Sequence, residues 1–224
     1  MNVWGITDRG VIREQNQDAY AHHILSDGRV VALVCDGMGG ARAGNIASTM
    51  AVDIFMEEFL DNKDRLGQSD QSRMEWAASS ANRQIFHRAT TEPDCGGMGT
   101  TIVAALVDEH GALILNEGDS RAYHLSEETG IVRVTRDHSL VEDMVQRGEL
   151  TQDQARVHPH KNLITRALGA EPDLRADLFK VGHHGQKDGV DEALAELIRP
   201  TAVVCCASSD RRYNSAHPDT MKLL

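Results

Sequence analysis

A short stretch near the N-terminus combines residue types that can bind a metal ion. Residues 30–35 are mostly β-branched or aliphatic, which predicts a buried strand, and Asp36 follows directly. Three of the next four residues are glycines, so the backbone can turn tightly and approach a ligand closely. A carboxylate at the end of a buried strand is costly unless a cation lies against it. We therefore predict a divalent cation bound by Asp36 and an adjacent backbone carbonyl, because hard cations prefer oxygen ligands.

Two other interpretations of a strand followed by a glycine-rich turn fit less well. A phosphate-binding loop requires Lys and then Ser or Thr after its last glycine, but Asn45 and Ile46 follow Gly44. A dinucleotide-binding turn requires Gly or Ala at position 42, where Arg42 stands. The remaining alternative is an Asp that only starts a turn, and it weakens once the other acids of the chain are placed.

A second group of polar residues precedes this stretch. Arg13 is suited to bidentate binding of a phosphate, and Asp18 is a second candidate oxygen ligand. Two apolar-rich segments flank Ser-Asp-Gly at residues 26–28, which predicts a β-hairpin. That hairpin would carry Asp18 and Asp36 on adjacent strands. A solvated turn is the structural alternative for the residues around Arg13.

Helical periodicity predicts the elements behind the glycine turn. Residues 41–60 and 73–89 each carry apolar side chains at the spacing of one helix face. A short helix over residues 140–147 ends at Gly148, which is a typical stop signal. We expect these helices to cover the sheet that carries the acids.

Several motifs follow one another in a specific order along the chain. The first are Arg13-x-x-Asn16-x-Asp18 and Val34-x-Asp36-Gly-Met-Gly-Gly-x-x-Ala-Gly44. Later ones are Gly-Thr-Thr at 99–101, Gly-Asp-Ser-Arg at 118–121, Asp-His-Ser at 137–139 and Asn-Leu-Ile-Thr-Arg at 162–166. This set resembles the PP2C-type metal-dependent protein serine/threonine phosphatases (the PPM family), in their compact bacterial form. The likeness covers residues 1–181.

The resemblance implies an α+β fold built as a layered α-β-β-α sandwich. A central antiparallel β-sandwich would be flanked by helices, with the metals at one edge between the sheets. Residues 102–107 would form a central strand and residues 112–116 its antiparallel return. Residues 1–181 would form the phosphatase domain, and residues 182–224 a divergent or truncated end of the same domain.

The resemblance also assigns roles to individual residues. Asp36 would bridge two metal ions, the Gly37 carbonyl would bind one of them, and Asp18 would act mainly through bound waters. Asp119 would bind an additional, weaker metal. Arg13 would hold the substrate phosphate, so Asp36 and Arg13 are the candidate catalytic residues. Mn²⁺ or Mg²⁺ suits a site made of oxygen ligands, and such ions activate water for attack on phosphorus.

The C-terminal residues 182–224 depart from the family pattern. The family continues with an apolar strand, a Ser-Asp-Gly-Leu turn and a closing Asp-Asn motif whose acids complete the metal centre. Here residues 202–206 would be the strand and Asp210 a displaced ligand, although Arg211 replaces the glycine. Natural divergence and a changed reading frame both remain open. Because the family's last two acids are missing or displaced, we expect strongly reduced affinity for the metal that relies on them.

Composition limits the partners of this chain of 224 residues. Its net charge of −11 argues against a nucleic-acid or acidic-membrane surface, because both would repel it. No apolar run approaches the ~20 residues of a membrane helix, and no signal-peptide pattern is present. The four cysteines lack metal-ligand spacing, which favours a reducing setting. We expect a cytoplasmic monomer.

Two functional hypotheses follow. The first is hydrolysis of phosphoserine and phosphothreonine in proteins by a metal-activated water, opposing a bacterial Ser/Thr kinase. The alternative is a catalytically weak or inactive PP2C-like protein that binds a phosphoprotein or regulatory partner through the same groove. A non-functional truncated product is a third possibility.

Overall fold

The structure, a computed structural model, describes residues 1–61, 68–127, 129–173, 176–182 and 203–205. The strands are β1 (Asp18–Ile24), β2 (Val30–Met38), β3 (Gly99–Thr100), β4 (Ile102–Asp108), β5 (Gly111–Glu117), β6 (Arg121–Ser126), β7 (Gly130–Arg133), β8 (Asp177–Gly182) and β9 (Val203–Cys205). The helices are α1 (Gly40–Leu60), α2 (Asp70–Thr91), α3 (Leu140–Gln146) and α4 (Gln152–Val157). None of the helices within these ranges is long and apolar enough to cross a membrane.

Two antiparallel sheets organise the chain. The larger sheet has the order β1-β2-β4-β5-β8, and β3 pairs with β2 beside this path. The smaller sheet has the order β7-β6-β9. The expected α+β fold, with antiparallel sheets flanked by helices, is confirmed.

The central strand β4 is buried on both faces. Ile102, Ala104 and Leu106 point to the cluster that includes the apolar faces of α1 and α2. The alternate residues, Val103 and Ala105 among them, join a second cluster with Ala122 of β6. Side chains alternate across a strand, so a strand with apolar residues at every position is stable only between two layers. The larger sheet therefore lies between a helical layer and the smaller sheet.

The predicted elements are largely confirmed, with differences at their ends. The hairpin forms by pairing β1 with β2, and α1 and α3 lie where the periodicity placed them. Helix α2 begins three residues earlier than predicted, because the Ser69 hydroxyl accepts from the Ser72 N–H and caps it. Helix α4 was missed, since one short turn held by the Thr151–Gln154 capping box gives little apolar periodicity. The strand predicted over 202–206 is present as β9.

Asn82 on α2 connects the helical layer to the segment that follows the last family motif. Its Oδ1 accepts from the Gly169 N–H at 2.8 Å, and its Nδ2 donates to the Glu171 and Pro172 carbonyls at 3.1 and 3.2 Å. The side chain is buried, so water cannot replace these bonds. One amide group therefore satisfies three backbone groups of a loop about ninety residues away.

We predict that Asn82→Ala lowers the free energy of unfolding by about 1–3 kcal/mol, because it leaves buried backbone groups without partners. Urea unfolding followed by circular dichroism measures the change. Gln71→Ala, on the exposed face of the same helix, is the control and should stay within about 0.5 kcal/mol of the parent. Equal effects of the two substitutions would contradict the role of Asn82.

Candidate metal centre

Two carboxylates meet at the end of the β1–β2 hairpin. The register pairs Asp18 directly with Asp36, and their side chains are hydrogen-bonded to each other. The Asn16 side chain holds this end of β1 by accepting from the Asp18 N–H at 3.1 Å. The pairing predicted from the hairpin is thus present, and it brings both acids to one edge of the larger sheet.

The electrostatics of the pair favour a bound cation. Burial, followed by the charges of Asp18 and Asp119, raises the pKa of Asp36 to about 7. Burial also raises the pKa of Asp18, while the hydrogen bond to Asp36 and the charge of Arg13 oppose that rise. Burial raises the pKa of Asp119 to about 6, with the charge of Asp137 as the next cause. A cation would relieve the cost of ionising these acids together.

The backbone beside Asp36 is unusually crowded. A Cβ on Gly37 would lie 2.0 Å from the Gly44 carbonyl oxygen, and one on Gly44 would lie 2.8 Å from the Gly37 carbonyl group. The Gly37 N–H donates to the Gln17 carbonyl at 3.0 Å. Only glycine at both positions lets the first turns of α1 approach β2 this closely. The Gly37 carbonyl, a predicted ligand, is therefore held by backbone packing.

A pair of hydroxyl groups connects the backbone of Asp36 to the segment that carries Asp119. The Asp36 N–H donates to Thr101 Oγ1 at 3.0 Å, and the Thr101 N–H donates to the Asp36 carbonyl at 2.9 Å. Thr101 Oγ1 lies 2.6 Å from Ser120 Oγ, and both side chains are buried. The positions of Asp36 and Asp119 are therefore coupled through two neighbouring strands.

Arg13 lies in an exposed turn near the carboxylates. Its charge lowers the pKa of both Asp18 and Asp36, which places the guanidinium within electrostatic reach of the pair. An exposed guanidinium beside two acids can bind a phosphate oxygen presented to the same edge. Binding of the substrate phosphate by Arg13 stays a prediction.

The donor set fits a hard cation in part. Asp18, Asp36 and the Gly37 carbonyl offer oxygen atoms at one place, and oxygen is the ligand that Mg²⁺ and Mn²⁺ prefer. Within the described ranges, no three His, Cys, Asp or Glu side chains lie close enough together to hold a metal ion. Asp119 is thus an electrostatic neighbour of the pair. Asp210, the further candidate ligand, lies outside the described residues.

The residues that hold the site were not given roles by the sequence alone. Thr101 and Ser120 stood within recognised motifs, yet nothing in their spacing indicated that their hydroxyl groups meet. Asp137 and His138 likewise stood within a motif, and both are buried beside the Asp119 segment. These contacts join residues 19 and 20 positions apart in the chain, so no local pattern could have found them.

Comparison with known proteins defines the class. Residues 12–167 match the family described as protein phosphatase 2C, and this chain belongs to that family of enzymes. The resemblance to PP2C-type phosphatases that the motifs indicated is confirmed.

Individual relatives agree with this assignment. The chain is 39% identical over 176 residues to "Serine/threonine phosphatase stp" of Listeria welshimeri, covering 78% of this chain and 69% of the relative. It is 35% identical over 189 residues to "Protein phosphatase PhpP" of Streptococcus pneumoniae, covering 81% and 73%. The crystal structure of Serine/threonine phosphatase Stp1 from Staphylococcus aureus superposes with a TM-score of 0.74 at 34% identity, covering 80% and 70%. These names give no support to the inactive alternative.

We predict that Asp36→Asn stabilises the metal-free protein at high pH. The pKa of Asp36 is raised in the folded state, so ionising it costs stability as the pH rises from about 4, and the cost is complete above about 7. Thermal unfolding in EDTA should show a higher midpoint for Asp36→Asn at about pH 8 and almost no difference at about pH 4. Asp53→Asn, an exposed position on α1, is the control. A lower midpoint for Asp36→Asn at the higher pH would refute the electrostatic account.

We also predict that Gly44→Ala weakens Mn²⁺ binding by about tenfold or more, because its methyl group would displace the Gly37 carbonyl. Isothermal titration measures the affinity. Gly96→Ala is the control, since its Cβ would meet only the Pro93 carbonyl at an ordinary 3.4 Å. Unchanged Mn²⁺ affinity in Gly44→Ala would mean that the Gly37 carbonyl is not a ligand.

Proposed function

We propose that this chain hydrolyses phosphoserine and phosphothreonine in proteins, using two Mn²⁺ or Mg²⁺ ions bound at the Asp18–Asp36 pair. The observation that carries the proposal is the contact between these half-buried carboxylates on paired strands. Two acids in contact are stable together only with a proton or a cation between them. The serine/threonine phosphatases among the relatives support the same substrate class.

The residues would then take distinct roles. Asp36 and the Gly37 carbonyl would hold the two ions, and Asp18 would contribute mainly through water. Asp119, whose pKa is raised and whose charge acts on Asp36, would hold a further and weaker ion. When bound, the ions supply an acidified water and neutralise charge on the phosphoryl group.

Arg13 performs the part of the reaction that the protein's own side chains must supply. Its fork of N–H donors binds two phosphate oxygens and orients the ester relative to the carboxylate pair. Its exposure lets a phosphorylated side chain of another protein reach it without opening the fold. The proposed partners are therefore phosphoproteins made by a Ser/Thr kinase.

The assignment of the remaining chain follows the same proposal. We take residues 1–181 as the phosphatase domain and residues 182–224 as its divergent or truncated end. Asp210 stays a predicted ligand. We also still expect one of the metal sites to bind its ion with reduced affinity. A cytoplasmic monomer is the proposed form.

The test is Mn²⁺-dependent hydrolysis of p-nitrophenyl phosphate and of a phosphothreonine peptide by purified protein. Both activities should vanish in EDTA, and Asp36→Ala should lower them by about a hundredfold, since the bridging ligand is lost. Asp53→Ala is the control for surface charge. Activity that survives Asp36→Ala or EDTA would rule out the metal mechanism, and equal hydrolysis of a phosphotyrosine peptide would rule out the substrate class.

A binding experiment accompanies the assay. Titration of the parent protein with Mn²⁺ should show one site that is clearly weaker than the other. Two tight sites would contradict the expectation derived from the C-terminal residues.

A further inference from the structure

A single histidine, His138, makes two hydrogen bonds to the segment that carries Asp119, one through its backbone and one through its ring. The His138 N–H donates to the Gly118 carbonyl at 2.9 Å, and the Gly118 N–H donates to His138 Nδ1 at 3.0 Å. The His138 side chain is only 3% exposed, so water does not compete for these bonds. Both backbone groups of the residue before Asp119 are therefore fixed by His138.

Asp137, the residue before His138, holds the other end of the segment that carries Asp119. Arg121 Nε donates to Asp137 Oδ1 at 2.9 Å, and its Nη2 donates to Asp137 Oδ2. Such a bidentate pair fixes direction as well as distance. The adjacent residues Asp137 and His138 thus hold the first and last residues of segment 118–121, with Asp119 between them.

The hydrogen bonds also determine the proton position on the ring. His138 Nδ1 accepts from Gly118, so the proton of the neutral ring lies on Nε2, which is 3.1 Å from Asp177 Oδ2. Arg166 Nη1 lies 3.3 Å from the other oxygen of Asp177 and holds that carboxylate in place. Burial lowers the pKa of His138, which favours the neutral ring that this arrangement needs.

The backbone of Gly118 requires this support. Its φ is 112°, a conformation that glycine enters easily and also leaves easily. A Cβ there would lie 2.5 Å from Thr101 Cγ2, so no larger residue could replace it and fix the conformation. The constraint must therefore come from outside the segment.

We propose that His138 is a positioning residue that orients Asp119 through the Gly118 peptide, with Asp177 holding the ring. The proposal rests on the proposed function only in taking Asp119 as a metal ligand. Rotation of the Gly118 backbone would turn the carboxylate of the next residue away from Asp36. His138 touches neither substrate nor metal in this scheme.

A matched pair of substitutions separates the two ring nitrogens. In His138→Asn the amide oxygen takes the place of Nδ1 and can still accept from Gly118. In His138→Gln the amide group reaches the place of Nε2, so the contact with Asp177 is kept and the acceptor for Gly118 is lost. His110→Asn, at an exposed position, is the control.

Two measurements then follow on each variant. Hydrogen exchange of the Gly118 amide in metal-free, ¹⁵N-glycine-labelled protein should be near the parent rate in His138→Asn and about tenfold faster in His138→Gln. The second measurement is the Mn²⁺ affinity of the site that is lost in Asp119→Asn. This affinity should fall by about tenfold in His138→Gln and should not fall in His138→Asn. Equal behaviour of the two variants would overturn the proposal.

A measurement on the unaltered protein covers the case in which a variant fails to fold. The ¹⁵N spectrum of labelled histidine at neutral pH should show His138 as the Nε2–H tautomer with Nδ1 accepting a hydrogen bond. A protonated ring or the Nδ1–H tautomer would overturn the proposal. If these results hold but Asp119→Asn leaves Mn²⁺ binding unchanged, the metal role of Asp119 fails while the Gly118 contact stands.

Discussion

The contact between Asp18 and Asp36 is the constraint on which this structure depends. The antiparallel register forces the two carboxylates together, and partial burial weakens the screening of their charges by water. The raised pKa of Asp36 means that a proton and a cation compete for the pair near neutral pH. The same repulsion that lowers stability therefore creates the affinity for metal, so binding and folding are coupled at this edge.

The rest of the fold supplies the stability that this edge lacks. Strand β4 lies between two apolar clusters, with α1 and α2 on one side and the smaller sheet on the other. Such burial on both faces makes the sheet a rigid support for Asp36, which lies near the end of β2, and for Asp119, which follows β5, the strand paired with β4. The site itself contains glycines, because the backbones approach each other too closely for larger side chains. It also contains hydroxyl groups, which hydrogen-bond where apolar side chains could not.

Much of the fold could be predicted from residue patterns. The β1–β2 hairpin, helix α1 and the apolar character of β2 follow from local periodicity and turn residues, because each depends on neighbours in the chain. Helix α4 and the early start of α2 depend on single capping groups, which periodicity does not detect. The metal hypothesis also came from local features, namely an acid at the end of a buried strand and the glycines after it.

The sequence alone therefore determined the hairpin, the candidate acids at positions 18 and 36, and the oxygen-rich character of the site. Only the tertiary structure decided that Thr101 and Ser120 connect Asp36 to the Asp119 segment, and that His138 binds the Gly118 backbone. The Thr101–Ser120 and Gly118–His138 contacts span 19 and 20 positions of the chain, and the Asp36–Thr101 contact spans 65. No local pattern encodes such contacts, because they arise from strand order and sheet packing, which bring distant residues together.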